Sequence, residues 1–193
     1  MKEPPVLGYL RTFLPWIAFA VISTPHDSRY GALVGAVLAV ALLAADRRGG
    51  KPWDALIIEG TSVVFFGALA IAAFTTAKAP LGAYGSAVSD EWLALVAWGS
   101  LAVRHPFTLG IARTMTPPEV HDHPVFYRVN AVITAVWAAA FTVTGVVLAL
   151  LAQAAPHATT AIIAVKVAGF VLPALFTARY PATVAARHRA AAR

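Results

Sequence analysis

The chain predicts an all-α fold, a polytopic transmembrane helix bundle, and three observations carry that expectation. Of 193 residues, 59% are hydrophobic and only 12% are charged, whereas soluble domains run at about 45–50% apolar and about 25% charged. The mean hydropathy is +0.71. The apolar residues gather into six runs separated by polar or turn-forming breaks. So few charges cannot solvate a soluble surface. A bilayer lets apolar side chains face outward and needs charges only at its two edges.

The runs cover residues 5–22, 30–45 and 55–76, a fourth that begins near Trp92, and then 129–154 and 161–180. A hydrocarbon core about 30 Å thick needs roughly 20 helical residues. The third, fifth and sixth runs meet that length, and the second spans with the help of tilt or snorkelling. Pro5 suits the first turn of helix one. Pro15 and Pro173 fall inside runs one and six, where each removes a backbone hydrogen bond and predicts a kink. Tyr9, Tyr30, Trp53, Trp92, Tyr127 and Tyr180 fall at predicted helix ends, where an apolar ring with a polar tip is most comfortable. No three-helix half repeats in the other, so the inverted repeat of many transporters is not visible. Without a small-x-small site after the first run, helix one is expected to remain in the mature protein.

Orientation follows from the loop cations, because positively charged loops stay on the cytoplasmic side. With the amino terminus inside, the inner segments hold Lys2, Arg11, Arg47, Arg48, Lys51, Arg104, Arg113, Arg128, Arg179, Arg187, Arg189 and Arg193, and the outer ones only Arg29 and Lys78. This predicts six helices with both termini cytoplasmic. Five spans plus a re-entrant first run is the alternative. The chain reads as a single transmembrane domain, 1–193, with a basic cytoplasmic tail at 181–193.

The net charge of +6 does not point to nucleic acid, which would require a concentrated basic face on a soluble module. Here the cations sit one to three at a time beside apolar runs, which suits anionic lipid headgroups. Zero cysteines exclude disulfides, thiolate metal sites, iron–sulfur clusters and cysteine nucleophiles. There is no Gly-x-Ser-x-Gly, His-Glu-x-x-His or phosphate-binding loop, and no residue set points to a cofactor. His121-Asp122-His123, near Glu119, offers weak metal ligands, but Thr116-Pro117-Pro118 and Pro124 mark an irregular loop. Gly31 and Gly35 form a small-xxx-small pair that suits close packing within the chain or a homo-oligomer.

The fourth helix poses a geometric problem. From Glu91 to Arg104 is about 20 Å of helix, too short for a ~30 Å core. A helix continuing past Pro106 to Arg113 would be about 33 Å long, and would carry Arg104 and His105 into the cytoplasmic leaflet. A first helix begun at Pro5 likewise draws Arg11 about 9 Å inward, and Glu59 lies about 7–8 Å beyond Asp54. Glu59 is thereby expected at the depth of Arg104 and Arg11, with Asn130 near enough to join by hydrogen bonding. Buried charges normally face a partner or water, because each costs about 2.5–3.5 kcal/mol at helix centre. Two readings fit: a polar functional pocket, or arginines that snorkel outward around a Glu59 that merely packs. Lys166 lies about 9 Å deep from the opposite face and either pairs or snorkels.

The order of features resembles the bacterial intracellular septation protein A family of small inner-membrane proteins. The points of contact are Phe13-Leu14-Pro15, a short second run ending in Arg47-Arg48, Phe66-Gly67-Ala68-Leu69, His105-Pro106-Phe107, Asn130 followed by Trp137 and Phe141, and Lys166-Val167-Ala168-Gly169-Phe170. The resemblance is that of a diverged member: the family's usual Lys-Pro after helix four is His105-Pro106 here. It implies a non-enzymatic role in envelope biogenesis or division through contacts with other membrane proteins. The alternative is a small transporter or lipid-handling protein using a polar intramembrane site around Glu59, Arg104 and Asn130. An intramembrane enzyme using Glu59 or the His121–His123 loop is the remote third.

Overall fold

The computed structural model describes residues 11–191. Among them all regular structure is helical: α1 Leu14–Ile22, α2 Arg29–Arg48, α3 Ile57–Thr75, α4 Gly85–Ala102, α5 Phe107–Met115, α6 Pro124–Ala154 and α7 Thr159–Ala191. Four of these, α2, α3, α6 and α7, are long and apolar enough to cross a membrane. The expected start at Pro5 and the ring of Tyr9 lie outside the described residues. The expected basic tail is largely a continuation of α7, which runs through both Pro173 and Pro181.

Proline acts at the first helix as the sequence predicts. Arg11 and Thr12 are helical, but Pro15 has no N–H to give to the Arg11 carbonyl, and the regular ladder is interrupted at Phe13. Trp16 and Ile17 both donate to the Phe13 carbonyl at 3.0 Å, and α1 restarts with Pro15 in its first turn. The interruption sets Phe13 at the centre of the molecule. Its ring stacks on Trp137 (5.1 Å, 14°) and meets Phe170 edge-on at 5.3 Å.

The fourth run departs from expectation at both ends. α4 begins at Gly85, so Trp92 lies seven residues inside it, against Phe65 (5.6 Å) rather than at an edge. α4 then ends at Ala102 and does not continue to Arg113. The His105 N–H bonds the Ser100 carbonyl (2.8 Å) and the Arg104 N–H bonds that of Leu101 (2.9 Å). This is a Schellman closure, with Arg104 in the left-handed region at φ 57°. Ser100 Oγ accepts the Phe107 N–H at 3.1 Å and so starts α5 as it ends α4. The 18 residues of α4 are about 27 Å long, near a full crossing, but its second turn carries Asp90 and Glu91.

α2 packs between α1 and α3, and α6 packs between α4 and α7. Both glycines of the small-xxx-small pair are used within the chain. Gly31 abuts Ser23, and a Cβ at Gly35 would sit 2.8 Å from the ring of Phe66. Gly110 lets α5 lie directly on the Asp54 backbone. The turn before α2 is held by Asp27, whose carboxylate takes the Arg29 guanidinium at 2.7 and 3.1 Å. That contact pulls the Asp27 carboxyl below its ordinary range.

One polar device recurs at three helix interfaces. Trp16 Nε1 donates to Ser62 Oγ (2.7 Å), Trp98 Nε1 to Thr142 Oγ1 (3.2 Å) and Trp137 Nε1 to Thr177 Oγ1 (2.9 Å). Each hydroxyl gives its own proton to the carbonyl four residues back, of Ile58, Ala138 and Pro173 respectively. Indole can only donate, and a hydroxyl committed in this way still has a lone pair to accept. α1 is thereby tied to α3, α4 to α6, and α6 to α7. Trp92 does not take part, and its buried Nε1 has no partner among the described residues.

Interhelical bonds of this kind contribute about 0.6 kcal/mol on average in membrane bundles and about 1.7 at most. Trp137→Phe and Thr177→Val should therefore each destabilise the chain in detergent unfolding, and the double variant should cost less than the sum by about that amount. Trp92→Phe, which removes an unpartnered donor, should be neutral or stabilising. At the end of α4, Arg104→Gly should raise stability by about 1 kcal/mol in the same assay, because a side chain in the left-handed region costs about 1–2 kcal/mol.

Candidate functional site

The polar residues expected inside the bilayer are distributed over three places. At the basic end of the bundle, Glu59 is 3% exposed in the first turn of α3. Its Oε1 accepts Thr12 Oγ1 at 2.9 Å, and its Oε2 is buried with no partner among the described residues. Arg11 does not reach it. Arg11 Nη1 lies 2.6 Å from Asp46, and Lys51 Nζ is 3.0 Å from the other oxygen of the same carboxylate. Asp46 is itself buried, so one carboxylate fastens the chain before α1, the end of α2 and the following loop. Asp54 is taken by Arg113 of α5 at 3.1 Å.

Arg104 and His105 do not lie within a helix at the depth of Glu59. Both are exposed, in the turn that closes α4. The expected pairing of Glu59 with Arg104 or Arg11 is replaced by these local contacts, because α4 stops before Arg104 and Asp46 stands closer to Arg11.

Asn130 occupies a second place. It is 2% exposed, and its Nδ2 donates to the Phe126 carbonyl at 2.9 Å. Thr108 Oγ1 donates to the Asn130 carbonyl (2.9 Å) and meets Thr134 Oγ1 at 2.8 Å. Since Thr108 has one proton, Thr134 is the donor in that pair. This knot fixes α5 on α6. Beside it lies a cavity of about 1030 Å3 between α5, α6 and α7, walled mainly by apolar residues such as Phe126, Ile133 and Trp137, with Thr177, His123 and Glu119 as polar points.

The two loop histidines have structural work. His123 Nδ1 accepts the Val125 N–H at 3.2 Å and caps α6. His121 stacks on Phe126 at 5.4 Å and bonds Thr116. No group of three His, Asp or Glu side chains able to hold a metal occurs among the described residues.

The third place is at the opposite end, where Lys166 of α7 lines a cavity of about 590 Å3 together with Asp90 of α4. Sequence reasoning passed over Asp90 and Asp46 because each borders an apolar run and reads as loop charge. Pro80-Leu81-Gly82 and Gly85 are the turn signals that could have moved the start of α4 ahead of Asp90. For Asp46, the cue is its spacing to Lys51 across the Gly49-Gly50 turn. Compared with protein-family models, with curated proteins and with solved structures, the chain matches none of them.

Asp46→Asn should destabilise the chain by about 1–2 kcal/mol in detergent unfolding. Breaking a buried pair costs about 3–5 kcal/mol, reduced here because Arg11 and Lys51 are 41% and 37% exposed and partly screened. Asp54→Asn, whose pair is half-exposed on both sides, should change stability by no more than about 0.5 kcal/mol.

Proposed function

We propose that the chain is a multi-pass protein of the bacterial cytoplasmic membrane, with a non-enzymatic role in envelope biogenesis or division exerted through contacts with other membrane proteins. The observation that favours this reading is the separation of Glu59, Arg104 and Asn130. A transport path needs polar groups that converge on one accessible cavity, as intramembrane charges in carriers do. Here Glu59 is enclosed beside Thr12, Arg104 is at a surface turn, and Asn130 is engaged with Phe126 and Thr108. The resemblance to the septation protein A family points the same way. A lipid-handling role is the second reading, and the cavity beside Asn130 is what favours it.

In this reading the chain crosses six times. The first helix, α2, α3, α4, α6 and α7 are the spans, α5 stays at the cytoplasmic side, and both termini are cytoplasmic. The twelve-to-two division of loop cations supports that orientation. The cysteine-free sequence makes the test direct. Single cysteines at His26 and His157 should react with an impermeant maleimide in intact cells, and those at Gly50 and Asp122 only after permeabilisation. The opposite pattern would overturn the orientation.

Depletion should lengthen cells, displace septa or sensitise the envelope to stress, and Glu59→Gln should rescue as well as the native chain. Unchanged cell length, septum position and stress sensitivity would count against the division role. Loss of rescue by Glu59→Gln would instead favour a carrier working through that carboxyl.

A further inference from the structure

The cavity at the end of the bundle away from the basic loops contains the most specific unexplained chemistry in the molecule. Asp90 and Lys166 both line it, from α4 and α7 respectively. Yet they do not form a direct ion pair, and neither side chain has a hydrogen-bond partner among the described residues. Every other aspartate that pairs in this chain does so at contact distance: Asp27 with Arg29, Asp46 with Arg11 and Lys51, and Asp54 with Arg113. Glu91, the neighbour of Asp90, points away toward Gly145 of α6 and does not line the cavity.

Depth and surroundings narrow the ligand. Asp90 is five residues into α4 and Lys166 seven into α7, about 8 and 10 Å below the helix starts. In the six-crossing topology proposed above, that is the level at which headgroups give way to acyl chains. Two groups of opposite sign that line one cavity at that depth without pairing suit a molecule that carries both signs itself. Two hydroxyls, Ser86 and Ser89, stand on the α4 wall, and the rings of Phe13, Trp16 and Phe19 make the apolar side. The residue that precedes α1 meets α7 at the Phe13–Phe170 edge contact. Beyond it, Ile17 and Val21 of α1 and Val167 and Val171 of α7 line the cavity while remaining exposed on the outside of the bundle. A ligand seated between the charges would thus have an apolar exit into the surrounding lipid.

We propose that this cavity binds a zwitterionic phosphoethanolamine group, its ammonium held by Asp90 and its phosphate by Lys166. The apolar exit between α1 and α7 makes a phosphatidylethanolamine-type lipid the favoured source, with its acyl chains lying along Val167 and Val171. A soluble phosphoethanolamine has the same polar chemistry and would occupy the same two contacts. The inference does not need the division role proposed above, but it rests on the crossing of the bilayer by α4 and α7 proposed with it.

The test uses the full chain in nanodiscs or detergent. Lipid retained by the protein is read by native mass spectrometry, with added phosphatidylethanolamine, phosphatidylglycerol or glycerophosphoethanolamine as probes. The native chain should retain phosphatidylethanolamine at least tenfold better than phosphatidylglycerol. Asp90→Asn should erase that preference, because the anionic lipid lacks the ammonium that Asp90 would hold, and Lys166→Gln should weaken retention of both lipids. Asp90→Asn/Lys166→Gln leaves no uncompensated charge and should fold while retaining neither selectively. Competition by glycerophosphoethanolamine at the concentrations at which the lipid acts, lost in the same variants, would also support the site and identify its source as soluble. Equal retention of the two lipids by the native chain, or a preference that survives in the double variant, would overturn the proposal.

Discussion

Apolar burial does little to hold helices together in a bilayer, since lipid tails are as apolar as the side chains they would replace. This bundle depends on a polar complementarity instead: a donor-only indole meets a helix hydroxyl whose proton is already committed to its own backbone. Trp16 with Ser62, Trp98 with Thr142 and Trp137 with Thr177 repeat it at three interfaces. The pairing satisfies the one polar atom of a large ring without introducing a second unsatisfied one. Aromatic packing then fills the space between. Phe13, freed from regular helix by Pro15, reaches Trp137, Phe141 and Phe170 together and joins the α1–α3 layer to the α4–α7 layer.

Against that frame the charges divide by location. At the basic end two acids, Asp46 and Asp54, are neutralised by neighbours on adjoining loops or helix ends, and those contacts decide how the loops lie. Asp46 draws in Arg11 and Lys51, while Asp54 holds α5 through Arg113. Glu59 is enclosed with a single hydroxyl partner among the described residues. At the other end Asp90 and Lys166 line one cavity without forming an ion pair. The first arrangement is what a chain uses to fasten itself, and the second is what it uses to meet something else.

Most of the fold was legible in composition and in run length. The second, third, fifth and sixth runs correspond to α2, α3, α6 and α7, because about 20 apolar residues in a row leave a chain few alternatives; their boundaries shift by at most five residues, except that α7 continues to Ala191, eleven residues beyond the end of the sixth run. The fourth run was misjudged at both ends. Asp90 and Glu91 looked like loop although they lie in the second turn of a helix, and Arg104 closes that helix in a conformation usually left to glycine. The candidate site suffered from the same error. Depth along an assumed helix placed Glu59 and Arg104 together, but depth says nothing about which face of a helix a residue occupies or where the helix stops.

The sequence by itself determined that this chain is helical, apolar enough to enter a membrane and asymmetric in its loop charge, since these follow from composition and from spacing along one dimension. Tertiary structure alone decided which charges meet. Asp46 rather than Glu59 takes Arg11, and Asp90 rather than any basic-end acid faces Lys166, because both outcomes depend on how helices distant in sequence are rotated and packed against one another.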